Sequence, residues 1–166
     1  MKIYATEADI YNQLRTLSEK INRDYNGVEL DLVYVSTGAF VFANDLARMI
    51  RIPLKMHPIS YSDYHPPSGN GEVQLLLDVS TPLMNRHVLL LDGIVISGKT
   101  PHFIMGLLRL RMPATLELCV VGSKPKKLSV GMNIKYQLFS LVNEWIEGYG
   151  IGSGENKYSR SLIDVS

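Results

Sequence analysis

Two hydrophobic periods alternate along this chain. Ile10, Leu14, Leu17 and Ile21 recur at helical spacing behind Thr6-Glu-Ala-Asp9, which reads as a capping box with Asp in place of the usual Glu or Gln. Asn26-Gly27 is predicted to stop that helix. Residues 30–35 then read as a first buried strand, followed by the small-residue loop Ser36-Thr37-Gly38-Ala39 and a helix over about 40–50. Residues 54–60 and 73–77 read as further strands. Residues 88–91 form an unbroken aliphatic run, as expected of a strand buried on both faces. Asp92 ends that run, residues 93–100 make a loop, and Ile104, Leu107, Leu108 and Leu110 fall on one side of a helix. Residues 116–122 make the next strand. A strand–loop–helix unit that occurs twice predicts an α/β fold, with a central mostly parallel sheet flanked by helices.

Length and charge narrow this picture only slightly. The 166 residues suffice for one domain with a good core, so a single domain over 1–166 is expected. A net charge of +1, with charges mixed along the chain, argues against a nucleic-acid surface. The lone Cys119 sits in an apolar run, offers neither a disulfide nor a thiolate metal site, and fits a reducing cytoplasm. The longest apolar runs have strand length, so neither a membrane span nor a signal peptide is expected. Residues 60–72 are polar and rich in turn formers. They read as a long loop whose Tyr61, Tyr64 and His65 could cover a ligand, or as a plain exposed hairpin.

The candidate chemistry lies at residues 92–100. A strand, a small-residue loop and a helix start together aim backbone N–H groups and a helix dipole at a phosphate. Ser97, Lys99 and Thr100 add hydroxyls and a positive charge, with Gly98 between them. Residues 93–100 also satisfy the nucleotide-hydrolase pattern G-x-x-x-x-G-K-[ST]. However, Ile94, Val95 and Ile96 suit a strand end better than a loop around a triphosphate, and the next strand does not end in a metal-holding Asp. A strand–turn–helix that binds nothing is the plainer alternative.

In length and order, residues 88–100 resemble the signature of the phosphoribosyltransferases: an aliphatic strand, two acids, two aliphatics, a third acid, then a Thr-Gly-Lys-Thr-like loop. Asp92 matches the first acid, and Ser97-Gly98-Lys99-Thr100 the 5′-phosphate loop. Residues 30–162 are similar to the hypoxanthine-guanine branch of that family. Ser60-Tyr61 resembles the opening of its mobile loop (about 60–72 here), and Thr37-Gly38 its pyrophosphate loop. Residues 121–124 and 129–131 resemble its base-reading strand and loop, with Lys124 matching the lysine that contacts the purine's exocyclic oxygen. Trp145-Ile146 matches the aromatic that stacks on the base and the backbone that reads its edge. The segment 155–162 resembles the one that supplies an arginine, here Arg160, to pyrophosphate.

The resemblance implies a type I phosphoribosyltransferase fold, with a small hood built from the N-terminal and C-terminal segments. It implies transfer of phosphoribosyl from phosphoribosyl pyrophosphate to a 6-oxopurine, Mg²⁺ carried with the pyrophosphate, and a homodimer or homotetramer in the cytoplasm. The chain departs from the family pattern at Gly93 and Ile96, where the second and third acids belong, at Thr37, where Lys or Arg is usual, and at Gly152, where a metal-linked Asp is common. Only Asp92 remains for the ribose hydroxyls, no general base stands at Ile96, and metal ligands are unassigned. The expectation is a slow or divergent enzyme, in which acids restored at 93 and 96 raise turnover. The alternative is an impaired homologue that binds a purine nucleotide as a sensing module.

Overall fold

The computed structural model describes residues 2–64, 72–142 and 144–166. Strand β1 (Lys2–Ala5) leads into helix α1 (Glu7–Asp24). The capping box is formed at the start of α1: Asp9 N donates to Thr6 Oγ1 at 3.2 Å, and Thr6 N donates to the Asp9 carboxylate at 2.9 Å. These two bonds satisfy donors that the first helical turn leaves open. Ile10, Leu14, Leu17 and Ile21 are buried, as their spacing predicts, and α1 ends ahead of Gly27, whose φ of +82° suits glycine.

The main sheet has six strands in the order β4-β3-β2-β5-β6-β7. They are β2 (Leu30–Val35), β3 (Leu54–Tyr64), β4 (Glu72–Leu77), β5 (His87–Val95), β6 (Thr115–Ser123) and β7 (Tyr136–Ser140). Every neighbouring pair is parallel except β3–β4. Strands β2 and β5 are aliphatic and buried along most of their length because helices cover both faces. Helix α2 (Phe40–Met49) carries the chain from β2 out to β3, whereas α3 (Lys99–Arg109) carries it from β5 the other way to β6. The loops after β2 and β5 therefore part company at neighbouring strand ends. In an open α/β sheet that switch point leaves a crevice.

A separate three-stranded antiparallel sheet, β1-β9-β8, joins the first residues to β8 (Ile146–Glu147) and β9 (Leu162–Asp164). Sequence periodicity does not reveal β1, β7, β8 or β9, because each has five residues or fewer. Two expectations are corrected. Residues 60–64 belong to β3 and pair antiparallel with β4, so the described part of the 60–72 segment follows the hairpin alternative and not the loop. His65 and the side chain of Tyr64 lie outside the described residues. Strand β5 also continues through Gly93, Ile94 and Val95, so these residues cannot curl around a triphosphate, and the hydrolase pattern is coincidental. No helix among the described residues is long and apolar enough to cross a membrane.

Leu90 on central β5 is fully buried, while Leu110, just past α3, is 79% exposed. Leu90→Ala is expected to lower unfolding stability by about 2–5 kcal/mol. Leu110→Ala should stay within about 0.5 kcal/mol of the parent. Urea midpoints at equal m-value would check both.

Candidate functional site

The crevice at the C-terminal ends of β2 and β5 holds a cavity of about 240 Å³. Gly38 comes from the loop after β2, Tyr61 from β3, and Asp92, Gly93, Ile94 and Ile96 from β5 and the turn beyond it. Lys124 follows β6, and Trp145, Ile146, Ile151 and Gly152 close the other side. The structure thus brings Asp92, Ile96, Gly38, Tyr61, Lys124, Trp145 and Ile146 together around one space. Ser60 lies beside Tyr61 on β3, and Thr37 is exposed next to Gly38.

Asp92 is the carboxylate of this cavity, only 7% exposed. Gly93 N donates to its Oδ1 at 2.8 Å, which favours the charged form. Burial outweighs that bond and pushes its pKa up to about 6. Lys124 is 2% exposed, and its Nζ lies 5.0 Å from the centre of the Trp145 ring, a cation–π contact. Its ammonium makes no hydrogen bond or ion pair among the described residues. Burial pulls its pKa down, helped by Lys127 and opposed by Glu144 and Asp164. The other face of Trp145 is open, the residue being 57% exposed. The backbone holds Trp145 in place: its N–H donates to Asp164 Oδ1 at 3.2 Å, and its carbonyl accepts from Val165 N at 2.8 Å. An unpaired ammonium beside an aromatic face can hold a flat heterocycle by an exocyclic oxygen.

The predicted phosphate loop, residues 97–100, follows Ile96 at the edge of this cavity. Gly98 caps α3 with φ +81° and has no side chain to bond the first turn; Pro101 carries no N–H, so the helix start offers chiefly the Thr100 amide to a ligand. Ser97 Oγ accepts from Lys99 N at 3.4 Å. Ser129 N donates to Ser97 O at 3.0 Å, and a Cβ on Gly98 would meet Val130 Cγ2 at 3.0 Å. Residues 129–130 therefore pack against Ser97 and Gly98. In the predicted base-reading segments, only Lys124 reaches the cavity.

Other placements depart further from expectation. A Cβ on Gly93 would lie 2.7 Å from the Gly38 carbonyl oxygen, well inside contact distance. The loop after β2 thus occupies the space over Gly93, and an acid cannot simply be restored there. At Gly152, φ is +86° and a Cβ would meet Glu147 Cγ at 2.9 Å. The nearby carboxylate is that of Glu147, which accepts from Gly154 N at 3.1 Å and Asn156 Nδ2 at 3.4 Å. Arg160 is not in the cavity. It pairs with Glu7 at 3.3 Å and lines a separate groove of about 660 Å³ with Arg48, Asp45 and Tyr149. Sequence reasoning gave no role to Glu147, or to the wall residues Ile94 and Ile151. For Glu147 the only local signal is its place in the short β8, where it faces away from buried Ile146.

This fold and site define a phosphoribosyltransferase-type protein, and residues 2–153 match the phosphoribosyl transferase domain family. The chain belongs to that family. It is 31% identical to the hypoxanthine phosphoribosyltransferase of Buchnera aphidicola subsp. Schizaphis graminum, over 91% of this chain and 87% of that protein. It is 32% identical to the hypoxanthine-guanine phosphoribosyltransferase of Crithidia fasciculata, over 97% of this chain and 81% of the other. A crystal structure of a hypoxanthine-guanine phosphoribosyltransferase from Bacillus anthracis superposes with a TM-score of 0.93 at 29% identity, covering 100% of this chain and 99% of that one.

Unfolded, an Asp titrates near pH 4, whereas folded Asp92 holds its proton to about 6. Across that window the native state keeps a proton that the unfolded state has lost, so this group makes stability fall as pH rises. Asp92→Asn is therefore expected to stabilise the fold by ~2–3 kcal/mol at mildly alkaline pH. Unfolding titrations should show that gain vanish below about pH 4. Gly93→Ala is expected to displace the 36–39 loop, and amide exchange there should quicken. Unchanged exchange at Gly38 and Ala39 would refute the close approach.

Proposed function

We propose that this protein is a purine phosphoribosyltransferase, transferring phosphoribosyl from phosphoribosyl pyrophosphate to hypoxanthine or guanine to give IMP or GMP, and that it is slow. The observation that carries this reading is one cavity where the Trp145 face, buried Asp92 and Lys124, which has no side-chain hydrogen bond or ion pair among the described residues, lie beside the start of α3. The relatives named above act, by their names, on hypoxanthine or on hypoxanthine and guanine.

In this reading Ser97, Gly98, Lys99 and Thr100 hold the 5′-phosphate through backbone N–H groups, hydroxyls and the helix dipole. Asp92 accepts one ribose hydroxyl. Trp145 stacks on the purine, Lys124 donates to its exocyclic oxygen, and the Ile146 backbone reads its edge. Thr37 and Gly38 border the pyrophosphate, and Tyr61 with Ser60 flanks the entrance. Catalysis is then chiefly positioning: the base and C1 of the sugar are held in line, and the apolar walls exclude water. Arg160 can reach pyrophosphate only if its pairing with Glu7 is broken.

No cluster of three metal-ligating side chains occurs among the described residues. Mg²⁺ characteristically keeps several waters and binds through one or two carboxylates and substrate phosphates. Mg²⁺ would therefore enter as part of the pyrophosphate substrate, with Asp92 the carboxylate to hand, and would neutralise the leaving group's charge. A single domain with the β1-β9-β8 sheet as hood, a homodimer or homotetramer and a cytoplasmic setting complete the proposal. Buried, unpaired Cys119 is consistent with that setting.

Slowness follows from position 96. An isoleucine exchanges no proton, and general acid–base help is worth roughly 10²–10⁴-fold, or about 3–5 kcal/mol of barrier. The test is nucleotide formation from phosphoribosyl pyrophosphate, Mg²⁺ and each base. Lys124→Ala is expected to weaken GMP or IMP binding by roughly 10–100-fold. Ser97→Ala with Thr100→Val should weaken any 5′-phosphate ligand. Nucleotide binding without turnover would favour a sensing module, and nucleotide affinities untouched by both changes would sink the site assignment.

A further inference from the structure

The oxopurine class can be narrowed by following the proton. We propose that the heterocycle reacts as its ring-deprotonated anion, and that the pocket therefore selects the more acidic 2,6-dioxopurine, xanthine, over hypoxanthine and guanine. This inference rests on the phosphoribosyltransferase reading and departs from it in the preferred base, xanthine in place of hypoxanthine or guanine.

Two observations converge. The first is the cation. Lys124 is nine-tenths buried and more, lines the cavity, and has no hydrogen-bond or ion-pair partner among the described residues. A desolvated ammonium without a counter-charge gains most from a ligand that brings negative charge to it. Glu144 and Asp164 influence it only at longer range, against Lys127.

The second is the missing acceptor. From β5 and the turn after it the cavity receives Asp92, Gly93, Ile94 and Ile96, and from β3 it receives Tyr61. The loop after β2 gives Gly38, and the far wall is Trp145, Ile146, Ile151 and Gly152. Among the described residues, the titratable groups lining the cavity are Asp92, Tyr61 and Lys124, with Glu144 and Asp164 acting on Lys124. Asp92 Oδ1 takes the Gly93 N–H and lies on the Gly38 side of the crevice. Around position 96 the wall is aliphatic. A base that must give up a proton inside this pocket has no group at Ile96 to receive it, whereas one that lost it to solvent beforehand needs none.

The step then balances simply. A ring nitrogen's electron pair forms the bond to C1 of the sugar. The bond from C1 to the pyrophosphate oxygen breaks, and its pair leaves on pyrophosphate. The proton was released to water before binding, and Lys124 offsets the charge of the anion until the bond is made.

Trp145 is the chain's single tryptophan and lies against the Lys124 ammonium, so its fluorescence reports the pocket without requiring turnover. The first measurement is quenching by XMP and IMP with Mg²⁺ across the neutral pH range. Their phosphates ionise alike, so the ratio of affinities isolates the heterocycle. XMP is expected to bind at least about tenfold more tightly once its base is ionised, and Lys124→Met should collapse that ratio. In turnover, kcat/KM should rise about tenfold per pH unit below each base's own ionisation, with xanthine fastest at neutral pH. Ile96→Asp should flatten that profile and help hypoxanthine more than xanthine.

A flat XMP-to-IMP ratio, or one pH profile shared by all bases and set by a protein group such as Asp92, would overturn the inference and leave the proposed function standing. Failure of every purine nucleotide to quench Trp145 or to be formed would remove both.

Discussion

The divergence of two chain crossovers at the ends of β2 and β5 is the constraint on which the rest depends. Parallel pairing of these buried strands fixes their C-terminal ends side by side, and α2 and α3 then lead away in opposite directions along the sheet. Among the described residues, a cavity lies in the gap between the two loops. The predicted phosphate loop and the approach of Gly38 to Gly93 belong to the same gap. Its polar groups are few because its walls are the ends of strands chosen for burial.

This geometry sets two desolvated charges to different uses. Asp92 ends an aliphatic strand, so burial raises its pKa in spite of the Gly93 amide. Lys124 follows β6 in the same way and lies against the Trp145 ring, with Glu144 and Asp164 acting on it. Neither is how a chain would be stabilised, since a buried group without a charged partner opposes folding. The core formed by β2, β5, β6 and the helices around them supplies the surplus that tolerates them. Unpaired charge at a crevice is what leaves capacity for a ligand.

Much of the frame could be read from the sequence, because its main elements are long and periodic. The capping box at Thr6, the stripe from Ile10 to Ile21 and the aliphatic runs of β2 and β5 are local signals, and the structure follows them closely. Asp92 was legible as the end of its aliphatic run, whereas Lys124 and Trp145 were legible only through the resemblance to the phosphoribosyltransferases. What escaped depends on chain meeting chain. Strands β1, β8 and β9 are too short to show a period and exist by pairing with one another. The polar residues 60–64 read as loop until β4 supplies their hydrogen-bonding partners. Spacing does not show that Arg160 lines the groove with Arg48 and Tyr149 and not the cavity of Asp92. Nor can it show that the Gly38 carbonyl rests where a side chain at 93 would start.

That last contact bears on how this chain can change. With the Gly38 oxygen 2.7 Å from where a Cβ would begin, no single codon change at 93 reaches a side-chain-bearing residue without moving its neighbour first. The two glycines form an epistatic pair, in which the loop after β2 must be remodelled before an acid on β5 can be of any use. A mutational library built one position at a time would see position 93 as immutable, and would take for necessity what is a lock held by two residues. Position 96 carries no such lock, so a search for faster variants would move first there.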